Sequence, residues 1–105
     1  MKQQESVSVS SRLGVDDTIV SSHEALWCDL HGEAMILNLT SGVYFGLEGI
    51  GSDLWAFIQT PHTLTEIIDH LCSRFDVRRE VCQETIVNFL SQLAQHNLIL
   101  IKVHA

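Results

Sequence analysis

The sequence predicts an α+β domain in which a three-stranded antiparallel meander is followed by three helices. Two observations carry that reading. Between Thr18 and Leu47 apolar residues alternate with a period of two, interrupted at His31-Gly32 and at Thr40-Ser41-Gly42. Beyond Ile50 the apolar period lengthens to that of a helix, with breaks at Thr60-Pro61 and near Asp76. Strands grouped ahead of helices, instead of alternating with them, mark the α+β class and a winged helix-turn-helix-like order.

The elements follow in turn. Residues 1–17 read as a flexible polar tail in which Ser6, Ser8, Ser10 and Ser11 are interleaved with Val7 and Val9, with a short strand expected through Val7 to Leu13. Residues 18–105 form the single domain. In the first meander strand Leu26, Cys28 and Leu30 fall on one side and Trp27 and Asp29 on the other. Trp27 is thereby left to pack on the tail or on a partner. The second strand, Glu33 to Leu39, places Met35, Leu37 and Leu39 together, and Val43 to Leu47 makes the third. Ile50, Leu54, Trp55, Phe57 and Ile58 recur at helical spacing and are expected to be core. Thr63 with Glu66 three residues on is a capping box opening a second helix through Leu64, Ile67, Ile68, Leu71 and Phe75. The last helix is placed at Arg79–His96, capped by Asp76 and ended at Asn97, with Cys82, Ile86, Phe89 and Leu93 as its core stripe. Leu98 to Val103 is β-rich and reads as a final strand or an extended tail.

Composition narrows the function. The chain has 105 residues, enough for one core, with 6 Lys+Arg against 13 Asp+Glu and a formal charge of −7. That balance argues against nucleic acid, whose binders rely on clustered cations. No apolar run is long enough to cross a bilayer, and Met1-Lys2-Gln3-Gln4-Glu5-Ser6 lacks a signal-peptide core, so no membrane is expected and the cytoplasm is the expected compartment. Three cysteines, at 28, 72 and 82, lack C-x-x-C spacing and read as reduced, largely buried thiols.

Catalytic and cofactor chemistry finds little support. Cys28-x-x-His31 straddles a turn, yet no second ligand pair follows at zinc-site spacing. His70 and Cys72 sit two apart on a helix and point about 200° away from each other. There is no Gly-x-Ser-x-Gly elbow, and the Gly46, Gly49, Gly51 cluster lacks the Lys-Ser/Thr of a phosphate loop. Neither an enzyme nor a cofactor is expected.

The ordered motifs Gly32-Glu33, Leu37-Asn38-Leu39, Ser41-Gly42, Tyr44-Phe45-Gly46-Leu47, Gly51 and Leu54-Trp55 resemble the PqqD family of small peptide-chaperone domains, also called RiPP recognition elements. Leu64-Thr65-Glu66-Ile67, Phe75-Asp76-Val77 and Phe89-Leu90 with Leu93 extend the resemblance over roughly residues 24–98. Cys82 and Asn97 depart from the family pattern, which has a larger aliphatic residue and a glycine there. The resemblance implies a non-catalytic chaperone that binds the leader of a ribosomally made precursor peptide and presents it to a modifying enzyme. In the family the leader adds a strand beside the third strand and lies against the third helix. Implied partners are the precursor peptide and a radical-SAM maturase or a lasso-peptide protease and cyclase.

The residues themselves point to a compatible site. Val43, Tyr44, Phe45, Gly46 and Leu47 form an edge strand without the charges or prolines that usually block such edges. On the last helix Val87, Leu90 and Ala94 widen the apolar arc beyond its core stripe and are expected, with Gln83, to line a peptide groove. Arg78 and Arg79 are placed to meet acidic leader residues. Two readings from other classes stand beside this one. A winged-helix DNA-binding regulator would use Arg79–His96 as its recognition helix, and a structural adaptor would use the bare edge for self-pairing, so the expected state is a monomer or weak homodimer.

Overall fold

The computed structural model describes residues 13–104. Its elements are β1 (Thr18–Ser21), β2 (Ala25–Leu30), β3 (Glu33–Asn38), β4 (Tyr44–Leu47), α1 (Ile50–Phe57), β5 (His62–Thr63), α2 (Leu64–Arg74), α3 (Arg79–Gln95) and β6 (Ile99–Lys102). The strand expected through Val7 to Leu13 falls almost entirely outside the described residues.

The meander β2-β3-β4 is antiparallel, with Trp27 opposite Ile36 and Ile36 opposite Phe45. Its first turn places His31 (φ 57°) and Gly32 (φ 84°) in the left-handed region together, the signature of a two-residue hairpin whose twist matches its strands. The Asp29 carboxylate accepts the Gly32 N–H at 3.0 Å and closes that turn.

A second sheet has the order β5-β1-β6, with Thr18 opposite both Thr63 and Lys102. The sequence offers β1 and β6 as strand-like runs, but two-residue β5 has no periodicity to read. Near β1 the buried Asp17 carboxylate accepts the Gly14 N–H at 2.8 Å and the His104 N–H at 3.0 Å, joining the two ends of the described chain. Leu13 packs on the core as well.

The helices end where their chemistry directs. Thr63 and Glu66 form the expected capping box, with reciprocal bonds of 3.1 and 2.9 Å. At the end of α3 the Asn97 N–H reaches the Ala94 carbonyl and the Leu98 N–H the Leu93 carbonyl, both at 3.0 Å. With Asn97 at φ 58°, these are the two bonds of a Schellman motif, and Leu98 is the buried residue that accompanies it. Asn97 thus takes the left-handed position that glycine most often fills. The α3 N-cap, however, is Arg78 without a side-chain bond, not Asp76.

The core gathers Ile19, Ile36, Leu54, Trp55, Ile58, Leu64, Ile67, Ile68, Leu71, Ile86, Leu90 and Leu98 between the sheets and helices. One expectation about it is inverted. Trp27 turns inward and meets Trp55 edge-on, with ring centroids 6.4 Å apart, while Leu26, Cys28 and Leu30 face outward and are exposed. Because β3 is apolar on both faces, alternation alone does not choose which side is covered; the helices cover the side with the indole and Ile36. The outer face keeps a shallow apolar cleft of about 490 Å³ along Leu26, Cys28, Met35, Leu37 and Tyr44.

Candidate functional site

Strand β4 is the outermost strand of its sheet, paired to β3 on one side alone. The Asn38 N–H reaches the Val43 carbonyl at 2.9 Å, so 38 and 43 form a hydrogen-bonded pair. Alternation along an antiparallel ladder repeats that pairing at Ile36/Phe45 and Ala34/Leu47. Phe45 and Leu47 therefore spend their amides on β3, and Tyr44 and Gly46 direct theirs away from the sheet. These outward groups are a template for another strand. The other edge of this sheet, β2, is likewise unpaired in the sheet order. Whereas the apolar cleft that reaches β2 lies across the outer face of the sheet, what distinguishes β4 is a cleft that it shares with α3.

That cleft has a volume of about 260 Å³ and is lined by Gly46, Leu47, Glu48, Ile50, Gly51, Thr85, Ile86 and Phe89. Gly51 makes it possible: a Cβ there would stand 3.5 Å from the Phe89 ring and 3.6 Å from Leu47. At the far end of α3 the Phe45 and His96 rings lie 4.8 Å apart, so the helix follows the strand along its length. The walls are apolar, with Glu48 as the charged group of the lining.

The helical half of the expected site is relocated by these contacts. Leu90 has no exposed surface and belongs to the core, so it offers nothing to a visiting chain. Phe89, expected in the core stripe, is half-buried and faces the cleft instead. Two residues along a helix turn about 160° away, and five turn about 140°, so Val87 and Ala94 lie on the flank opposite Phe89. Both are half-buried against the core, outside the lining of the cleft. Gln83 is exposed and also absent from that lining. Arg78 is exposed, and Arg79 is engaged with Asp69 at 2.7 Å, a hydrogen bond that raises the guanidinium pKa further. Val43, just ahead of β4, and Tyr44 are exposed, and Phe45 and Leu47 are half-buried. The difference between the expected and observed faces of α3 has a definite source: one register step on a helix moves the apolar arc by about 100°.

A residue outside the expected set holds the site together. Asn38 is 2% exposed; its amide nitrogen donates to the His96 carbonyl at 2.7 Å, and its oxygen accepts the Thr40 and Ser41 N–H groups at 2.8 and 2.9 Å. The side chain thus pins the turn that launches β4 to the end of α3. An asparagine in an otherwise apolar strand, just before a turn, is the sequence signal that marks it.

Polar side chains elsewhere form their own group. Asp53 accepts from His70 at 2.7 Å and from Arg74, and the Phe57 ring stacks between His62 and His70 at 3.9 and 4.1 Å. Among the described residues no three His, Cys, Asp or Glu side chains come together as a metal site, and no helix is long and apolar enough to cross a membrane.

Comparison with known proteins bears directly on this geometry. The family model described as coenzyme PQQ synthesis protein D (PqqD) matches residues 33–99, from the start of β3 to the start of β6. The chain belongs to the PqqD family. The matched span holds every component of the cleft: β4, its turn and α1 and α3. A solved structure described as TbiB1 in complex with the TbiA(beta) leader peptide is similar over 82% of this chain and 98% of that one, with a TM-score of 0.73 and 28% sequence identity. The PqqD fold, α+β with three helices, is therefore shared by both. Comparison with curated protein sequences gave no match.

Proposed function

We propose that this chain is a non-catalytic carrier that binds the leader segment of a ribosomally made precursor peptide by strand addition to β4. The observation that carries the reading is the bare β4 edge running beside the Leu47–Phe89 cleft, in a fold whose solved relative TbiB1 is bound to a leader peptide. Four outward backbone groups, on Tyr44 and Gly46, would contribute roughly 0.5–1.5 kcal/mol each when paired. Ordering a disordered segment costs on the order of 2–5 kcal/mol, so strand pairing by itself comes out near balance. Net affinity then rests on an apolar leader side chain entering the cleft, where burial of one Leu- or Phe-sized group gives about 1.5–3 kcal/mol.

The carrier acts in the cytoplasm and presents the leader to a modifying enzyme, such as a radical-SAM maturase or a lasso protease and cyclase. Tethering makes the meeting of precursor and enzyme an intramolecular event. Isothermal titration of the full chain with synthetic leaders of precursors encoded beside its gene tests the proposal. Saturable one-to-one binding that changes little with added salt is expected; absence of binding by every such leader, with a folded protein, rejects it. Salt-sensitive DNA binding in a gel shift would instead favour the regulator reading.

A further inference from the structure

Gly46 leaves a bare position on the outer face of β4. It shares a cross-strand row with Met35 and Cys28, while its neighbours Phe45 and Leu47 turn inward to the core. A Cβ at Gly46 would stand 3.4 Å from the Met35 sulfur and 3.6 Å from Oε2 of Glu33. A thioether and a carboxylate therefore flank a spot that has no side chain of its own. Glu33 is half-buried, and among the described residues it joins no ion pair; Arg74 and Arg79 are held by Asp53 and Asp69. The backbone N–H and C=O of Gly46 are among the groups that point away from β3, so this spot lies where an added strand would pair.

Resting on the strand-addition reading, we propose that Glu33 selects the leader: the leader residue that pairs beside Gly46 is a lysine or arginine, and its charge meets the Glu33 carboxylate. Residues opposite one another in a ladder share a face, so a side chain opposite Gly46 projects onto the outer face and not into the Leu47–Phe89 cleft. Cross-strand Cβ positions lie about 4.5–5.5 Å apart, a distance a lysine or arginine stem spans. Gly46 offers no side chain to obstruct it. The stem lies over the glycine backbone against Met35, and the charged head reaches the carboxylate. An apolar side chain in the same place would cover the carboxylate and leave it unpaired, and an acidic one would be repelled. Because successive strand residues alternate in face, the residue next to the cation is the one that points toward the cleft beside Leu47. The leader is thus read on both faces, by an apolar residue and a basic residue adjacent in its sequence.

The probe is the synthetic leader of the precursor encoded beside the gene, titrated into the full chain as wild type, Glu33→Gln and Glu48→Gln. Each Lys or Arg of the leader is replaced by Gln in turn. One replacement, next to an apolar residue, should weaken binding to the wild type about three- to tenfold, the range of a close and partly exposed charge pair. The same replacement should cost nothing further on Glu33→Gln and keep its full effect on Glu48→Gln. Glu33→Lys should recover most of its lost affinity when the leader carries Glu at that position, a rescue that a merely structural role for Glu33 would not give. A leader that binds with no basic residue coupled to Glu33, or with the coupling at Glu48 instead, overturns the assignment and leaves strand addition standing. No binding to the folded wild type overturns both.

Discussion

Replacing Gly51 by alanine should move stability and leader binding in opposite directions. Gly51 is the second residue of α1, and its added methyl would meet the Phe89 ring at 3.5 and 3.8 Å and the Leu47 Cβ at 3.6 Å, all ordinary contacts. The free protein therefore accommodates it without rearrangement. Gly→Ala at a compatible position stabilises by about 0.4–1 kcal/mol, chiefly by restricting the unfolded chain. For a domain of this size that raises the melting temperature by roughly 2–8 °C. The same methyl stands between Leu47 and Phe89, where the leader's apolar side chain is proposed to enter. Overpacking a filled site costs about 1–3 kcal/mol, a roughly 5- to 150-fold weaker Kd. Differential scanning calorimetry and isothermal titration read the two effects on one sample. A higher melting temperature with unchanged leader affinity would show that no side chain enters between Leu47 and Phe89. A lowered melting temperature would refute the packing described for α1 against α3.

Other perturbations separate the parts of the site. Gly46→Pro removes an N–H that points away from β3, a substitution edge strands tolerate, so it should weaken leader binding about tenfold or more while circular dichroism stays native. Val87→Ala, on the flank opposite Phe89, should change leader affinity by no more than about twofold. Asn38→Ala should cost about 2–4 kcal/mol in urea unfolding, because it removes three hydrogen bonds of a buried side chain, to the His96 carbonyl and to two turn N–H groups. Acid should reveal Asp17, whose carboxyl is held below the usual range first by the Gly14 N–H and then by the His104 N–H. A carboxylate with a lowered folded pKa stabilises above its unfolded value of about 3.9 and loses that contribution as pH falls through the folded value. Melting temperature should therefore drop as pH is taken from about 5 down through the carboxylate range, and Asp17→Asn should be less stable near neutrality and flatter across that window.

The residues by themselves determined the class, the meander with its turns, the capping box at Thr63 and a sheet-edge strand within the Val43–Leu47 run. Each depends on neighbours in sequence: a period of two, a His31-Gly32 turn that accepts positive φ, a hydroxyl and a carboxylate three residues apart. Three matters were decided by tertiary packing. Which face of the meander is covered could not be read from β3, apolar on both sides, until Trp55 was seen to receive Trp27. The second sheet joins Thr18–Ser21 to partners at residues 62–63 and 99–102, pairings whose short strands leave no local trace. On α3 the exchange of Phe89 and Leu90 between cleft and core is a rotation of about 100°. Local spacing tells that a helix has an apolar arc, but the arc's centre is set by whatever packs against it, here chiefly α2 and β6, with Phe89 turned to the space that Gly51 leaves open.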